Sequence, residues 1–307
     1  MTAYRGRFAP SPTGPLHFGS LVAAVASYLD ARAAGGAWLV RIEDVDTTRT
    51  VPGAADAILR ALEAFGFRWD GDVVRQSERT ARYREALERL RRLGLVYRCR
   101  CSRREIADSA VTGLEGPVYP GTCRALALTD AADGADRVIV PDRPIAFVDR
   151  HRGEVKQNLA REIGDFVLRR RDGLFAYQLA VVVDDADEGI TDIVRGGDLL
   201  LSTPRQVFLQ DCLSAPTPSY LHVPVATDAA GDKLSKQTKA APVDPRRPRD
   251  ALGNALRFLG QDVPDDGDPA RILEAAARAW NPAQVPRHES AAATFRDAGG
   301  QDPGRII

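Results

Sequence analysis

Two segments far apart in the chain carry residue types that suit a nucleotide. His17-Phe-Gly-Ser20 stands where a turn punctuated by Pro10, Pro12, Gly14 and Pro15 opens into a helical pattern. A helix N-terminus offers free N–H groups and the positive end of its dipole to phosphate. His17 can add a hydrogen-bond donor, and Gly19 lets an adenosine approach the backbone closely. Much later, Gly231-Asp-Lys-Leu-Ser-Lys-Gln237 sets Lys233 and Lys236 three residues apart on a loop bounded by glycine. Lysines so placed can neutralise charge that develops on a departing pyrophosphate. Neither segment is a GxGxxG fingerprint, and the chain contains no Walker A sequence. Singly each is weak, since a KxxK loop is usually solvated surface and a histidine at a helix start is usually a cap. Together they point to adenylyl transfer.

A second constellation is sulfur. Cys99-x-Cys101 is followed by Tyr119-Pro-Gly-Thr-Cys123, while Cys212 stands apart in a helical stretch. Three thiols within so short a segment suit tetrahedral zinc better than redox chemistry, and a closed site needs a fourth ligand. No histidine lies between Cys99 and Cys123. Tyr119, Asp108 and Glu115 are the competing fourth donors, and Cys212 reads as a core thiol. The plainer reading is three unliganded thiols.

These residues need elements to hold them. Residues 4–10 read as a strand entering the Pro/Gly turn. From Leu16 a helical face of Leu21, Val25, Tyr28 and Leu29 runs to Gly35–Gly36. A strand over Trp38–Asp44, a helix over Ala54–Phe65 and a helix over Glu78–Leu93 follow. Strand and helix alternating in this way imply a parallel sheet with crossover helices. The rhythm breaks over 99–152, read as an insertion. It resumes with Asp165–Arg169, Phe175–Asp185, Asp192–Arg195 and a helix near Pro204–Leu213. A Pro- and Arg-rich linker follows Lys239, then helices near 250–260 and 268–280. From about Pro286 the end is polar and Gly-rich, which suits disorder.

Forty-two Lys and Arg balance forty-two Asp and Glu, so any RNA-binding surface must be local. The run Arg89–Arg104 is a candidate, or else a solvated helix face with its exit loop. No apolar run approaches a membrane span, and the N-terminus lacks the apolar core of a signal peptide. The expected address is the cytoplasm, with no membrane partner.

With the motifs assembled, PSPTGPLHFGS and KLSKQ resemble the HIGH and KMSKS signatures of class I aminoacyl-tRNA synthetases. RFAPSPTG, WLVRIEDVDTTR, the run over 172–206 and GDKLSKQ narrow the resemblance to the glutamyl branch, over about residues 5–240. It implies an α/β fold: a Rossmann-type parallel sheet with a zinc-bearing insertion and a short helical C-terminal region. The expected divisions are 1–98, 99–152, 153–240 and 241–307. Departures are Ser20 at the fourth HIGH position, Leu234 for Met and Gln237 for Ser.

The resemblance implies that His17, Lys233 and Lys236 are catalytic, and that His17, Gly19, Ser20 and Lys236 hold ATP with its Mg. A glutamate site must also meet an ammonium and two carboxylates, which arginine suits best. The matching positions are Arg7, Ala9, Ser11, Glu43, Tyr177 and Arg195, with Glu43 facing the ammonium. The competing reading leaves Arg41, Glu43, Asp44 and Asp46 as surface ion pairs. The resembling branch also implies zinc on Cys99, Cys101, Tyr119 and Cys123.

Seventy residues follow KLSKQ, too few for a helical anticodon reader. That points to the truncated paralogs, which activate L-glutamate without tRNA and attach it to the queuosine base of tRNA(Asp). A monomer is expected. The alternatives are a short enzyme charging the 3′ end of tRNA(Glu), and a catalytically dead, zinc-stabilised RNA-binding paralog.

Overall fold

The computed structural model describes residues 3–109, 111–129, 133–228, 242–288 and 290–293. Its first half alternates strand and helix as the periodicity predicts: β1 (Arg5–Phe8), α1 (Phe18–Ala33), β2 (Ala37–Ile42), α2 (Ala54–Ala64), β3 (Val74–Arg75) and α3 (Thr80–Arg92). β1 pairs in parallel with β2 from Arg5 opposite Ala37, and β2 pairs in parallel with β3. β2 is buried along nearly its whole length, as a parallel strand covered on both faces must be. α1 ends at Gly35 and Gly36 as expected. A Cβ on Gly36 would lie 2.5 Å from the Tyr4 carbonyl oxygen, so glycine is required for the helix to turn back onto the sheet.

The middle of the chain runs through β4 (Val96–Cys99), α4 (Arg103–Ser109), β5 (Thr112–Gly113), β6 (Gly116–Pro117), β7 (Ala135–Val138), β8 (Pro144–Asp149), β9 (Gly153–Asn158), α5 (Leu159–Glu162) and β10 (Val167–Arg169). β4 and β10 both pair antiparallel with β7. The segment expected as an insertion at 99–152 therefore shares its sheet with residues before and after it.

The α/β rhythm returns with α6 (Tyr177–Asp187), β11 (Asp192–Gly196), α7 (Thr203–Leu213), β12 (Ser219–Val223) and β13 (Val225–Thr227). β11 lies alongside β1, where Thr191 N donates to the Arg5 carbonyl at 2.9 Å. β12 pairs in parallel with β11 and with β8, and β8 carries β9 antiparallel on its outer side.

The expected C-terminal helices are α8 (Pro248–Phe258) and α9 (Pro269–Ala279). Leu252, Leu256, Leu259, Ile272 and Leu273 are fully buried in the same core as α1, Phe8 and Trp38. Each such side chain contributes roughly 1.5–3 kcal/mol by leaving water. Asp30 of α1 adds a polar tie, accepting from Trp280 Nε1 at 2.9 Å and Tyr4 Oη at 2.5 Å. The expectation of a disordered end from Pro286 is corrected for residues 286–288 and 290–293. β14 (Ser290–Ala292) pairs in parallel with β13, and Arg152 donates to the carbonyls of Arg287 and His288. Residues 294–307 lie outside the described residues. No described helix is long and apolar enough to cross a membrane.

Candidate active site

A cavity of about 680 Å³ opens at the carboxyl ends of β1, β2 and β11, beside the N-termini of α1 and α6. This is where an open parallel sheet leaves room for a ligand. Arg7, Ala9, Ser11, His17, Gly19, Ser20, Glu43, Tyr177 and Arg195 all line it. Residues separated by almost two hundred positions are thus brought to one site.

At one end His17 is the N-cap of α1. Its Nδ1 accepts from Ser20 N at 3.3 Å, and its Nε2 is 2.9 Å from Ser20 Oγ. With Nδ1 accepting, the ring proton sits on Nε2 and is donated to Ser20. Lys233 and Lys236 lie outside the described residues, but both flanks of their segment reach this end. Pro224, Val225 and Ala226 line the cavity, and Val243 N donates to the Leu16 carbonyl at 3.0 Å.

At the other end the charges are buried. Arg7, at 3% exposure, gives Nε and Nη2 to Asp185 of α6 at 3.1 and 3.2 Å. Arg41, fully buried, meets Asp185 at 2.7 Å, Glu43 at 3.5 Å, Asp184 at 3.9 Å and also Glu188. Asp184 accepts further from Gln76, Arg79 and Tyr83. The surface-pair reading is thereby corrected for Arg41, Glu43 and Asp44, while Asp46 keeps a partly exposed ion pair. Asp44 is buried against Ser77, and Asp46 meets Arg170 at the cavity wall at 2.8 Å.

Glu43 is the group left wanting. Its Oε1 is buried without a hydrogen-bond partner. Burial raises its pKa to about 7, against the pull of Arg41 and Arg7. An arriving ammonium would satisfy the oxygen and favour the ionised carboxylate. Tyr177 opens α6, and burial together with Glu43 pushes its phenol up to about 12, so it remains a donor at neutral pH. Arg195 is held by His222, Thr203 and Gln206, while its buried Nη1 has no partner.

The holders were not legible: Asp184, Asp185, Glu188, Arg41, His222, Thr203 and Gln206. The acids sit in DDADE at the end of a helical stretch, and neither they nor His222 belong to a motif that marks them as part of a site. Their burial is a tertiary property with no local signal.

The cysteines form a separate centre. The Sγ atoms of Cys99, Cys101 and Cys123 lie within 4.8 Å of one another, close enough to share one metal ion. Tyr119 Oη lies 3.2 Å from Cys99 Sγ and 3.8 Å from Cys101 Sγ. The Arg137 guanidinium stacks 3.9 Å from the Tyr119 ring centroid. Burial and the Cys99 thiol nevertheless push the Tyr119 phenol well above its ordinary range, so a bound cation would have to displace its proton. Gly164 backs Tyr119 so closely, at a φ of 75°, that a Cβ would sit 2.4 Å from the Tyr119 carbonyl oxygen. The competing donors turn elsewhere. Asp108 is exposed beside Arg104, and Glu115 bonds Arg205 at 2.7 Å. Cys212 packs against a separate core that holds Leu87, Leu179, Ile193 and Phe208, and burial pushes its thiol up to about 11. The basic run over 89–104 divides. Arg91 and Arg98 are committed to buried Asp136 at 2.7 and 2.8 Å, whereas Arg92, Arg100 and Arg103 are exposed.

Comparison with known proteins places these features in context. The model of the class I tRNA synthetase (E and Q) catalytic domain matches residues 3–266. A Dechloromonas aromatica protein named Glutamyl-Q tRNA(Asp) synthetase is 58% identical over 289 residues, covering 92% of this chain and 96% of its own length. A Thiobacillus denitrificans protein of the same name is 55% identical over 287 residues, covering 92% and 95%. Among solved structures, the glutamate tRNA ligase of Elizabethkingia meningosepticum in complex with its amino acid aligns at a TM-score of 0.78 and 26% identity. That alignment spans 95% of this chain and 67% of that one. The glutamate-tRNA synthetase of Elizabethkingia anophelis gives 0.80 and 26%, over 97% and 69%.

Proposed function

The chain belongs to the family of class I tRNA synthetase (E and Q) catalytic domains, and on that premise we propose that it activates L-glutamate with ATP and passes it to the queuosine base of tRNA(Asp). The acceptor rests on the 53–58% identity to relatives named for that reaction. The amino acid rests on the site. Buried Glu43 offers an unsatisfied acceptor for an ammonium, and buried Arg195 an unsatisfied donor for a carboxylate, on one cavity.

The first step forms a bond between a glutamate α-carboxylate oxygen and the α-phosphorus of ATP, and breaks the bond to the departing pyrophosphate. Arg7, Arg195 and Tyr177 orient the carboxylates, and Glu43 holds the ammonium, so attack begins from a fixed geometry. The start of α1 receives the phosphates at the positive end of its dipole, where its first-turn N–H groups point. His17 lends its Nε2 proton as Ser20 gives way, and Lys233 and Lys236 offset charge on the pyrophosphate. Mg bound with ATP would supply further neutralisation of the phosphate charge. In the second step a hydroxyl of the queuosine cyclopentene ring attacks the acyl carbon, and AMP leaves.

Zinc on Cys99, Cys101, Tyr119 and Cys123 is part of the same proposal. So are a cytoplasmic address, a monomeric state and the divisions at 99, 153 and 241. Glutamate-dependent ATP–pyrophosphate exchange without tRNA tests the activation step. Exchange with glutamate, and none with aspartate, is the expected result. Absence of exchange would favour a binding paralog without catalysis.

A further inference from the structure

The two arginines at the glutamate end are held in different ways. Asp185 takes Arg7 directly, as a carboxylate against a guanidinium. Arg195 is held by neutral groups. It stands opposite His222 in the β11–β12 register, and Asp149 of β8 stands opposite Tyr220 of β12. Three neighbouring strands thus align a guanidinium, an imidazole and a carboxylate, all at 4% exposure or less.

The hydrogen bonds fix their order. Arg195 Nε donates to His222 Nε2 at 3.1 Å, and His222 Nδ1 lies 2.7 Å from Asp149 Oδ2. A guanidinium only donates, so Nε2 is the accepting nitrogen and the ring proton sits on Nδ1. Burial pushes His222 down to about 4, in keeping with a neutral ring. Asp149 is fixed in turn by the backbone N–H groups of His151 at 2.9 Å, Arg152 at 2.8 Å and His222 at 3.1 Å. On the far side, Arg195 Nη2 donates to Thr203 Oγ1 and Gln206 Oε1, both at 2.8 Å. Only Nη1 is left without a partner.

We propose that His222, backed by Asp149, is a positioning residue for glutamate: it pins the Arg195 guanidinium so that Nη1 meets a substrate carboxylate. The proposal rests on the glutamate reading of the cavity. The neutral ring explains the construction. A carboxylate in its place would fix the same plane, but would also neutralise Arg195 and compete with the substrate for it. An imidazole acceptor fixes direction and leaves the positive charge available. The anion that orients the ring sits one residue further away.

His222→Phe keeps a ring and removes the acceptor. In ATP–pyrophosphate exchange it is expected to raise the KM for glutamate about tenfold, with kcat and the KM for ATP within about twofold of the parent. His222→Gln, whose amide oxygen can accept from Arg195, is expected to recover most of that loss. Asp149→Asn permits the other ring tautomer, whose Nε2–H would oppose the Arg195 Nε–H, and should raise the glutamate KM alone. Should His222→Phe not fold, the contrast between His222→Gln and Asp149→Asn carries the test. Equal changes for glutamate and ATP, or none for glutamate, would overturn the proposal. Arg195→Ala in the same assay separates the two levels. If it raises the glutamate KM while His222→Phe does not, positioning fails and the glutamate reading stands. If Arg195→Ala changes nothing, the glutamate reading itself fails.

Discussion

At the glutamate end of the cavity Arg7, Arg41 and Arg195 are each anchored by buried partners, whereas at the nucleotide end the described groups stand at a helix start and on either side of residues 229–241. The glutamate end is a network reaching back through α6, β8, β12 and α7. The nucleotide end has His17 capping a helix and Val243 closing on Leu16. The difference matches two tasks. Selecting a small diacid needs cations held before the substrate arrives. Carrying charge from ATP to pyrophosphate needs donors that engage as charge develops. Damage to the first end should therefore appear in KM and stability, and damage to the second in kcat.

Asp185→Ala should have the largest effect, because it leaves Arg7 and Arg41 buried without their shared partner. A loss of about 3–5 kcal/mol is expected, seen as a lower denaturation midpoint and a glutamate KM too high to saturate. Retained stability would show that Glu43, Asp184 and Glu188 suffice to hold Arg41. Lys236→Ala should reverse the pattern, with exchange slower by about 100-fold, an unchanged Tm and a nearly unchanged glutamate KM. An unchanged rate would remove Lys236 from the chemistry.

A smaller effect follows from Glu43, whose pKa is raised by burial to about 7. The substrate ammonium prefers the carboxylate, so below that pH the site must first lose a proton. The glutamate KM should rise about tenfold per unit below pH 7 and level off above it. In Glu43→Gln the slope should vanish; a slope that persists places the titration elsewhere. The smallest effect on activation belongs to the cysteine centre, which shares neither end of the cavity. About one zinc per chain is expected in a tag-free preparation. Cys123→Ser should lower the metal content and Tm while leaving the glutamate KM in place.

The sequence revealed these regions unequally. The cavity residues were legible because they fall in segments that resemble the glutamyl branch, and His17 and Gly19 also because a strand end there meets a helix start. Cys99, Cys101 and Cys123 were legible from their crowding. The groups that hold the arginines were not, since nothing local marks Asp184 and Asp185 as buried until α6 brings them onto Arg7 of β1 and Arg41 of β2. His222 belongs to the site only through its register with Arg195. β14 was missed because its Ser-Ala-Ala run carries no strand pattern and gains strand form by pairing with β13, more than sixty positions earlier.

The central claim concerns the acceptor, and labelled glutamate tests it most directly. The protein is incubated with ATP, labelled glutamate and tRNA(Asp) with or without queuosine, or with tRNA(Glu). The account predicts label on queuosine-bearing tRNA(Asp) and none on the other two. Label on tRNA(Glu) but not on queuosine-bearing tRNA(Asp) would contradict it.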